Sequence, residues 1–373
     1  MANFCAYFKE NICRSCTLLE TDYDKQILLK EESLRKSLSE NIKLETTITS
    51  PITGFRNKAK IVVSGSSEAP ILGLIDREIL DCPVHDPVIN TILHDLIPFI
   101  RLAKLDPYNI AERKGELKGI IIFHSDEAYV RFVLRSKEGL DRIRKNLPEL
   151  LKSHPKITSV SVNIQPVHQA ILEGEEEIFL GPATHIQQAY GNLKLTLRPQ
   201  GFVQTNQHVA ARLYATAASW VQEHKIERFL ELFSGQGAFS FHCASFVKEA
   251  TGVEINPEAV KTARDSAEQS GLTHLHFLAM DASNSGKIIH EKNPELILVN
   301  PPRRGLGESL GLITKSLPDW LIYSSCSVES LGRDLKELSS HYKIEKAQIF
   351  DMFPHTAHFE TLVLMRKLSA IKA

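Results

Sequence analysis

The chain of 373 residues has almost no net charge, with 44 basic residues set against 45 acidic ones. It therefore lacks a field over the whole surface that would gather a polyanion, and any attraction to nucleic acid must come from local patches. No uninterrupted apolar run approaches the roughly 18–20 residues that a membrane-spanning helix needs. The first ten residues lack the basic-then-apolar order of a secretory leader. Internal repeats and low-complexity tracts are also missing. Cysteine is sparse, at six residues, and in a chain expected to stay in the cytoplasm these do not form a disulfide framework. With 43% hydrophobic and 24% charged residues, the composition is that of an ordinary globular protein. We expect a cytoplasmic monomer that associates with neither membrane nor DNA.

What is present is unevenly placed. Four of the cysteines, Cys5, Cys13, Cys16 and Cys82, crowd the first quarter of the chain, leaving Cys243 and Cys326 for the rest. A mild excess of basic residues runs through 101–146, including Arg131, Arg135, Arg142, Arg144 and Lys145. A solvated helix face accounts for it as well as a nucleic-acid patch does.

The length suggests two or three domains. Leucines at helical spacing predict a helix over 25–41, and helices are also expected over 86–103 and 138–153. Short β-rich runs predict strands over 58–65, 71–75, 119–125, 128–136 and 157–165. Together they describe a small α+β unit of mostly antiparallel strands. From about residue 197 the rhythm changes. A helix over 207–222 leads into strands over 228–233, 249–254, 274–281, 295–300 and 320–325, alternating with helices, and strands over 342–353 and 360–367 close the series. Such alternation predicts an α/β fold with a mostly parallel, Rossmann-like sheet. Its ligands should bind where the strands end at their carboxyl edge.

The turn Ser234-Gly235-Gln236-Gly237 follows the first of these strands. Its two glycines allow the backbone to approach a ligand. Glu254 ends the next strand, where an acid commonly holds ribose hydroxyls. The third glycine of the dinucleotide fingerprint is absent, since Ser240 stands in its place. Asp281 is placed either to contact an adenine or to cap the following turn. Asn300-Pro301-Pro302-Arg303 follows the apolar run Leu296–Val299, and the prolines fix the chain at the sheet edge. Amino-methyltransferases carry a related motif with an aromatic residue where this chain has Arg303.

Cys326 closes the strand Trp320–Ser325 on the same edge as Asn300. Ser327 can cap the next helix, and a thiol at a helix amino terminus is expected to have a lowered pKa. Taken alone, Cys326 also reads as a small buried residue at a strand end, as Cys243 does on its helix. Glu360 begins the last strand after Phe353-Pro354-His355-Thr356-Ala357-His358-Phe359. It is a candidate base, with His355 and His358 as alternative proton carriers or as loop hydrogen-bonding residues.

Taken together, Phe202-Val203-Gln204-Thr205-Asn206, Leu232-Phe233-Ser234-Gly235, Asn300-Pro301-Pro302-Arg303, Ser324-Ser325-Cys326 and His355–Glu360 resemble the RNA uracil-5-methyltransferase family. Gly54–Lys60 and Val162–His168 extend the resemblance through the first half, and the branch it points to acts on 23S ribosomal RNA. The resemblance implies methylation of carbon 5 of a uracil, at the 747 site of that RNA, with S-adenosyl-L-methionine as donor. It implies Cys326 as nucleophile, Glu360 as base, and cofactor contacts from Gln204, Phe233, Glu254 and Asn300. It also implies that Cys5, Cys13, Cys16 and Cys82 hold a [4Fe–4S] cluster, although zinc would use the same four thiolates. The units would then be a cluster region over 1–45 and around 82, a central α+β RNA-binding domain over 46–196, and a catalytic domain over 197–373. Related branches carry an RNA-binding barrel ahead of the cluster cysteines, and none is expected before Cys5. Two other classes compete: an iron–sulfur oxidoreductase with a dinucleotide at Gly235, and a non-catalytic RNA-binding protein, which would need neither Cys326 nor Glu360.

Overall fold

A computed structural model describes residues 4–38, 42–168, 173–190, 193–198 and 201–369. The last residues of the helix expected over 25–41 lie outside these. Among the described residues, no helix is long and apolar enough to cross a membrane.

The chain opens with a single helical turn, α1 (Ala6–Lys9), and a longer helix, α2 (Tyr23–Ser37). The buried stripe of α2 is Gln26, Ile27, Lys30 and Leu34. Two of these four positions are polar, so this stripe must meet polar partners rather than an apolar core.

A first sheet has the strand order β3-β2-β1-β4-β5-β6-β7. Its strands are β1 (Lys58–Gly65), β2 (Pro70–Leu74), β3 (Arg77–Glu78), β4 (Leu117–His124), β5 (Ala128–Leu134), β6 (Ile157–Ile164) and β7 (Glu176–Phe179), with helices α3 (Pro87–Leu102) and α4 (Leu140–Ser153) between them. Asp86 caps α3 by accepting the Val88 N–H, and Pro87 takes its first turn, as the one position where a missing N–H costs nothing. All pairs are antiparallel except β5–β6. The crossover through α4 makes that pair parallel. Every residue of β5 is buried, because both faces are covered. The apolar side chains of α3 and α4 lie on one face. On the other, Phe123 and Tyr129 meet Ile186 and Leu197 from a hairpin of β8 (Ile186–Tyr190) and β9 (Leu193–Leu197). The same hairpin sends Tyr190 and Leu195 into the core of the second sheet, so it clamps the two sheets together. Strands β3, β7, β8 and β9 are additions to the elements predicted from sequence.

The second sheet has the order β12-β11-β10-β13-β14-β16-β15. Its elements run α5 (Gln207–Glu223), β10 (Arg228–Leu232), α6 (Ala238–Cys243), β11 (Glu249–Glu254), α7 (Pro257–Gln269), β12 (Leu275–Ala279), α8 (Gly286–Lys292), β13 (Leu296–Val299), α9 (Ser309–Ser316), β14 (Trp320–Ser325), α10 (Val328–Leu338), β15 (Tyr342–Phe350) and β16 (Glu360–Lys367). Strands β10 to β14 are mutually parallel, and β16 runs antiparallel to both its neighbours. Separate apolar cores fill the two faces, giving the expected α/β layers. The order reverses between β10 and β13, which opens a crevice at their carboxyl ends. Leu44 and Ile48 bridge to Ala347 and Phe350 in parallel, so the segment after α2 lines the β15 edge.

The basic residues of 101–146 are largely consumed by internal pairing. Arg131 is 1% exposed and pairs with Glu173 and Glu177. Arg135 pairs with Glu116, Arg144 with Asp141, and Arg142 donates to the Lys104 carbonyl.

Candidate active site

Parallel pairing brings residues distant in sequence to one edge. Phe233 follows β10, Glu254 ends β11, Asn300 follows β13 and Cys326 follows β14. Phe233 adopts φ +62°, a conformation unusual for a bulky residue, and such strain is found where surroundings over-determine the backbone. Two residues on, Gly235 also has positive φ, and a Cβ there would meet nothing within 4 Å. The space above this turn is open. Gly235 and Asn256 donate their N–H groups to the two oxygens of Glu254, at 2.9 Å each, which fixes that carboxylate at the mouth of the crevice. Ser240, standing where a third glycine was looked for, donates its N–H and its hydroxyl to buried Glu231 at 3.0 and 2.5 Å. Burial pushes the Glu231 carboxyl up to about 8. The turn is thus closed by this side-chain tie together with the close packing of Gly237 on Phe277.

Beside the open space, the amide of Gln236 is buried with neither its oxygen nor its nitrogen paired, and the Ser234 hydroxyl is likewise without a partner. Unpaired buried polar atoms are costly; the Gln236 amide lies against Gly201 of the loop before α5, and the Ser234 hydroxyl beside Gly252 of β11. Gln204 is 4% exposed on the loop before α5, and Asn206 caps that helix by accepting the Val209 N–H. The Asn206 amide also donates to Ser50 and to the Met352 carbonyl, so the loop is pinned from two sides. Asp281 caps its own turn, accepting from the N–H and hydroxyl of Ser283 at 2.8 Å, which is the second of its two expected roles.

The antiparallel pairing of β14 and β16 joins Ser325 to Thr361. One further step of the same register sets Cys326 opposite Glu360. Ser327 caps α10 by accepting the Ser330 N–H at 3.3 Å, as expected from the sequence. The thiol, however, is not lowered. Burial pushes its pKa up, the facing Glu360 pushes it further, and the Arg303 guanidinium hydrogen-bonded to it acts in the opposite sense. The expected helix-end effect is outweighed by desolvation and a like-charge neighbour. Glu360 itself is fully buried, its carboxyl is raised to about 8 by that burial, and Arg303 partly offsets the rise. Its Oε2 has no hydrogen-bond partner. A cleft of about 220 Å³ opens onto Cys326, Arg303, Ser327 and His358. Arg303 is the functional neighbour that sequence reasoning missed, having been read only as a replaced aromatic residue.

The loop carrying Arg303 is anchored to α10. Asp334 accepts the Leu306 N–H at 2.9 Å and the Tyr323 hydroxyl at 2.7 Å. His355 is fully buried in the loop before β16 and is a structural residue, since its Nε2 bonds the Ile52 carbonyl at 2.8 Å. His358 is exposed at the cleft rim. Cys243 is buried on α6 with its thiol pushed up by desolvation.

The four early cysteines come into one locality. The Cys16 thiol is pushed up to about 12, first by burial and then by Cys82, Cys13 and Cys5. Arg56 lies beside Cys16 and Cys82, and its charge acts on Cys16 in the opposite sense. The Tyr7 hydroxyl accepts the N–H groups of Leu80 and Asp81 at 3.1 and 3.0 Å, which docks the first turn onto the Cys82 loop. Among the described residues, no group of three or more His, Cys, Asp or Glu is gathered closely enough to hold a metal ion.

Residues 186–368 match the family described as tRNA (uracil-5-)-methyltransferase. A Proteus mirabilis protein named 23S rRNA (uracil(747)-C(5))-methyltransferase RlmC is 45% identical over 372 residues, spanning 97% of this chain and 98% of its own length. A protein of the same name from Pectobacterium atrosepticum is 43% identical, spanning 97% and 99%. The crystal structure of Pyrococcus abyssi tRNA (uracil-54, C5)-methyltransferase, in complex with S-adenosyl-L-homocysteine, aligns with a TM-score of 0.79. It is 24% identical and covers 94% of this chain and 85% of its own. That likeness bears on the fold.

Proposed function

The chain belongs to the RNA uracil-5-methyltransferase family, and from that premise we propose that it methylates carbon 5 of a uracil in 23S ribosomal RNA, the uracil 747 of its relatives' name. S-adenosyl-L-methionine is the methyl donor. The observation that carries this reading is the opposition of Cys326 and Glu360 across the β14–β16 register, with Arg303 acting on both.

Carbon 5 of uracil is a weak nucleophile, so the reaction needs covalent activation. The Cys326 thiol loses its proton to solvent in the cleft, aided by Arg303, and its sulfur bonds to carbon 6. The electron pair of the 5,6 double bond moves onto carbon 5 and the adjoining carbonyl. Carbon 5 then takes the methyl group from the sulfonium. Glu360, as carboxylate, removes the remaining carbon-5 proton, the double bond re-forms, and the carbon–sulfur bond breaks to release Cys326. The unpaired Oε2 of Glu360 is the atom we assign to that proton. The uracil must leave its stack to reach the cleft, which costs least in a single-stranded loop.

Gln204, Phe233, Glu254 and Asn300 would hold the methyl donor, and the unpaired amide of Gln236 suits a polar ligand at the same place. Cys5, Cys13, Cys16 and Cys82 would hold a [4Fe–4S] cluster. The mutual repulsion of their sulfurs, with Arg56 alongside, fits a charged group that would relieve it. Such a cluster supplies a covalent staple between the first segment and the Cys82 loop. We assign 46–196 to RNA binding, 197–373 to catalysis, and 1–45 with the Cys82 loop to the cluster.

The test uses 23S RNA carrying tritium at uracil carbon 5. Incubation with S-adenosyl-L-methionine should release tritium in step with methyl incorporation, and incorporation without release would sink the mechanism. The cluster assignment rests on a separate reading, the visible spectrum of protein purified without air. Broad brown absorbance is expected, and a colourless protein containing zinc would refute it.

A further inference from the structure

Helix α2 bonds to the segments that flank both members of the proposed catalytic pair, although it lies some 300 residues away in sequence. Lys30 donates to Asp351 at 2.5 Å and to the Phe353 carbonyl at 3.1 Å, and the Tyr23 hydroxyl donates to the other Asp351 oxygen at 2.6 Å. Ser33 lines the cleft with Cys326 and Arg303. One turn further on, the Ser37 hydroxyl donates to the Val328 carbonyl at 2.9 Å, in the first turn of the helix that Cys326 precedes. The helix therefore spans from the loop that leads to Glu360 to the turn that holds Cys326.

The tightest point of this brace is Gln26, which is fully buried. Its Oε1 accepts the His355 N–H at 2.8 Å. Its Nε2 donates to the carbonyls of Leu18 and Thr21 at 3.1 and 2.9 Å and lies 3.3 Å from His355 Nδ1. Leu18 closes the ring by donating its own N–H to the His355 carbonyl at 2.8 Å. Both main-chain polar groups of His355 are thus held, the carbonyl by Leu18, two residues after Cys16, and the N–H by Gln26 of α2. His355 also carries φ +65°, a conformation a non-glycine residue keeps only where its surroundings over-determine it. Five residues later comes Glu360.

We propose that Gln26 is a positioning residue for Glu360, and that it ties the order of the cysteine-lined segment to the proton-abstraction step of the reaction. The proposal rests on the uracil-methylation reading and adds a specific consequence to it. Loosening the Leu18–Gln26–His355 ring should leave sulfur addition and methyl transfer largely in place while slowing removal of the carbon-5 proton. The protein then stalls as its covalent RNA adduct. A displacement of ~1 Å at a reacting group is enough to cost ~10²-fold.

The experiment compares Gln26→Ala with the parent, both as holoprotein purified without air, on tritiated 23S RNA. Visible absorbance, KM for RNA, tritium release and the fraction of protein trapped as RNA adduct on a denaturing gel are read together. For Gln26→Ala we expect absorbance and KM to match the parent, tritium release to fall by about tenfold or more, and adduct to accumulate. Release at the parent rate overturns the proposal, as does a loss expressed wholly in KM without adduct. If Gln26→Ala does not fold, Gln26→Glu carries the test. Glutamate keeps an oxygen to accept the His355 N–H but loses the amide that donates to the Leu18 and Thr21 carbonyls. It should show a smaller fall with detectable adduct, and parent-like release overturns the proposal. A parent protein that releases no tritium at all refutes the underlying reading instead, and so separates the two failures.

Discussion

Two buried ionic clusters of this molecule are made of similar residues and are finished differently. In the central sheet, Arg131 is paired with Glu173 and Glu177 and bonded to the Tyr129 hydroxyl. Glu177 also accepts from Tyr129 and Asn163. At the cleft, Glu360 is as deeply buried but keeps one oxygen unpaired, and its arginine neighbour is exposed to solvent. In the central cluster every carboxylate oxygen has a partner, and the atom left unpaired is a nitrogen, Arg131 Nη2. At the cleft a carboxyl oxygen is the atom left unpaired, and the carboxyl and the thiol are both raised, first by burial, with the Glu360 charge adding to the rise of the thiol; shifted groups of this kind gather where chemistry is done. Pairing, rather than burial, separates a structural cluster from a reactive one.

The contrast can be broken most sharply at the nucleophile. Cys326→Ala should abolish tritium release, with a fall on the order of 10⁴-fold or more, and adduct should vanish with it. Residual release near the parent rate would remove Cys326 from the mechanism. Next in size, Glu360→Gln should lower turnover by roughly 10²–10⁴-fold while adduct persists on a denaturing gel; recovery of only free RNA would deny Glu360 its role as base.

The central cluster should respond in stability instead. Arg131→Met removes the charge bonded to buried Glu177, at a cost of about 3–5 kcal/mol, measurable by urea denaturation. Turnover per folded molecule should stay close to the parent value. A large loss of turnover without loss of stability would erase the distinction drawn here.

The smallest effect is one of pH. Folding raises the Glu360 carboxyl from 4.5 to about 8, so across that window the native chain binds more protons than the unfolded one. Its contribution to stability therefore falls as pH rises through the window and levels off above it. Glu360→Gln has no such group, so its thermal midpoint should gain on that of the parent between about pH 5 and pH 8. A constant difference would show that Glu360 titrates normally. The same ionisation should make turnover of the parent climb toward pH 8, because only the carboxylate accepts the proton.

Much of this was legible in the chain. Strands such as Lys58–Gly65, Trp320–Ser325 and Glu360–Lys367 were predicted with the bounds they have, since their apolar residues pack into the cores of sheets. β7 escaped because Glu176–Phe179 is short, acidic and only partly buried; Glu177 pairs with Arg131 of β5, and Glu176 with Lys137 ahead of α4. Cys326 and Glu360 could be singled out by type and position. Their mutual placement could not, because it depends on the register of the antiparallel last strand. The polar stripe of α2 was illegible for a similar reason. Gln26 and Lys30 have the look of solvent-facing helix positions until partners more than 300 residues away are brought to them.

The position of β16 between β14 and β15 also sets an order of assembly. Strand β14 and the thiol that follows it are synthesised before the base, and β15 must leave a gap that the later strand fills. Had β16 run parallel to β14, its first residue would lie at the far end of the strand, on the order of 20 Å from the sulfur. Until that strand inserts in reverse, the proposed nucleophile has no proposed base opposite it. Catalytic competence therefore arrives with the closing of the sheet, and a protein that has not finished folding cannot finish the chemistry.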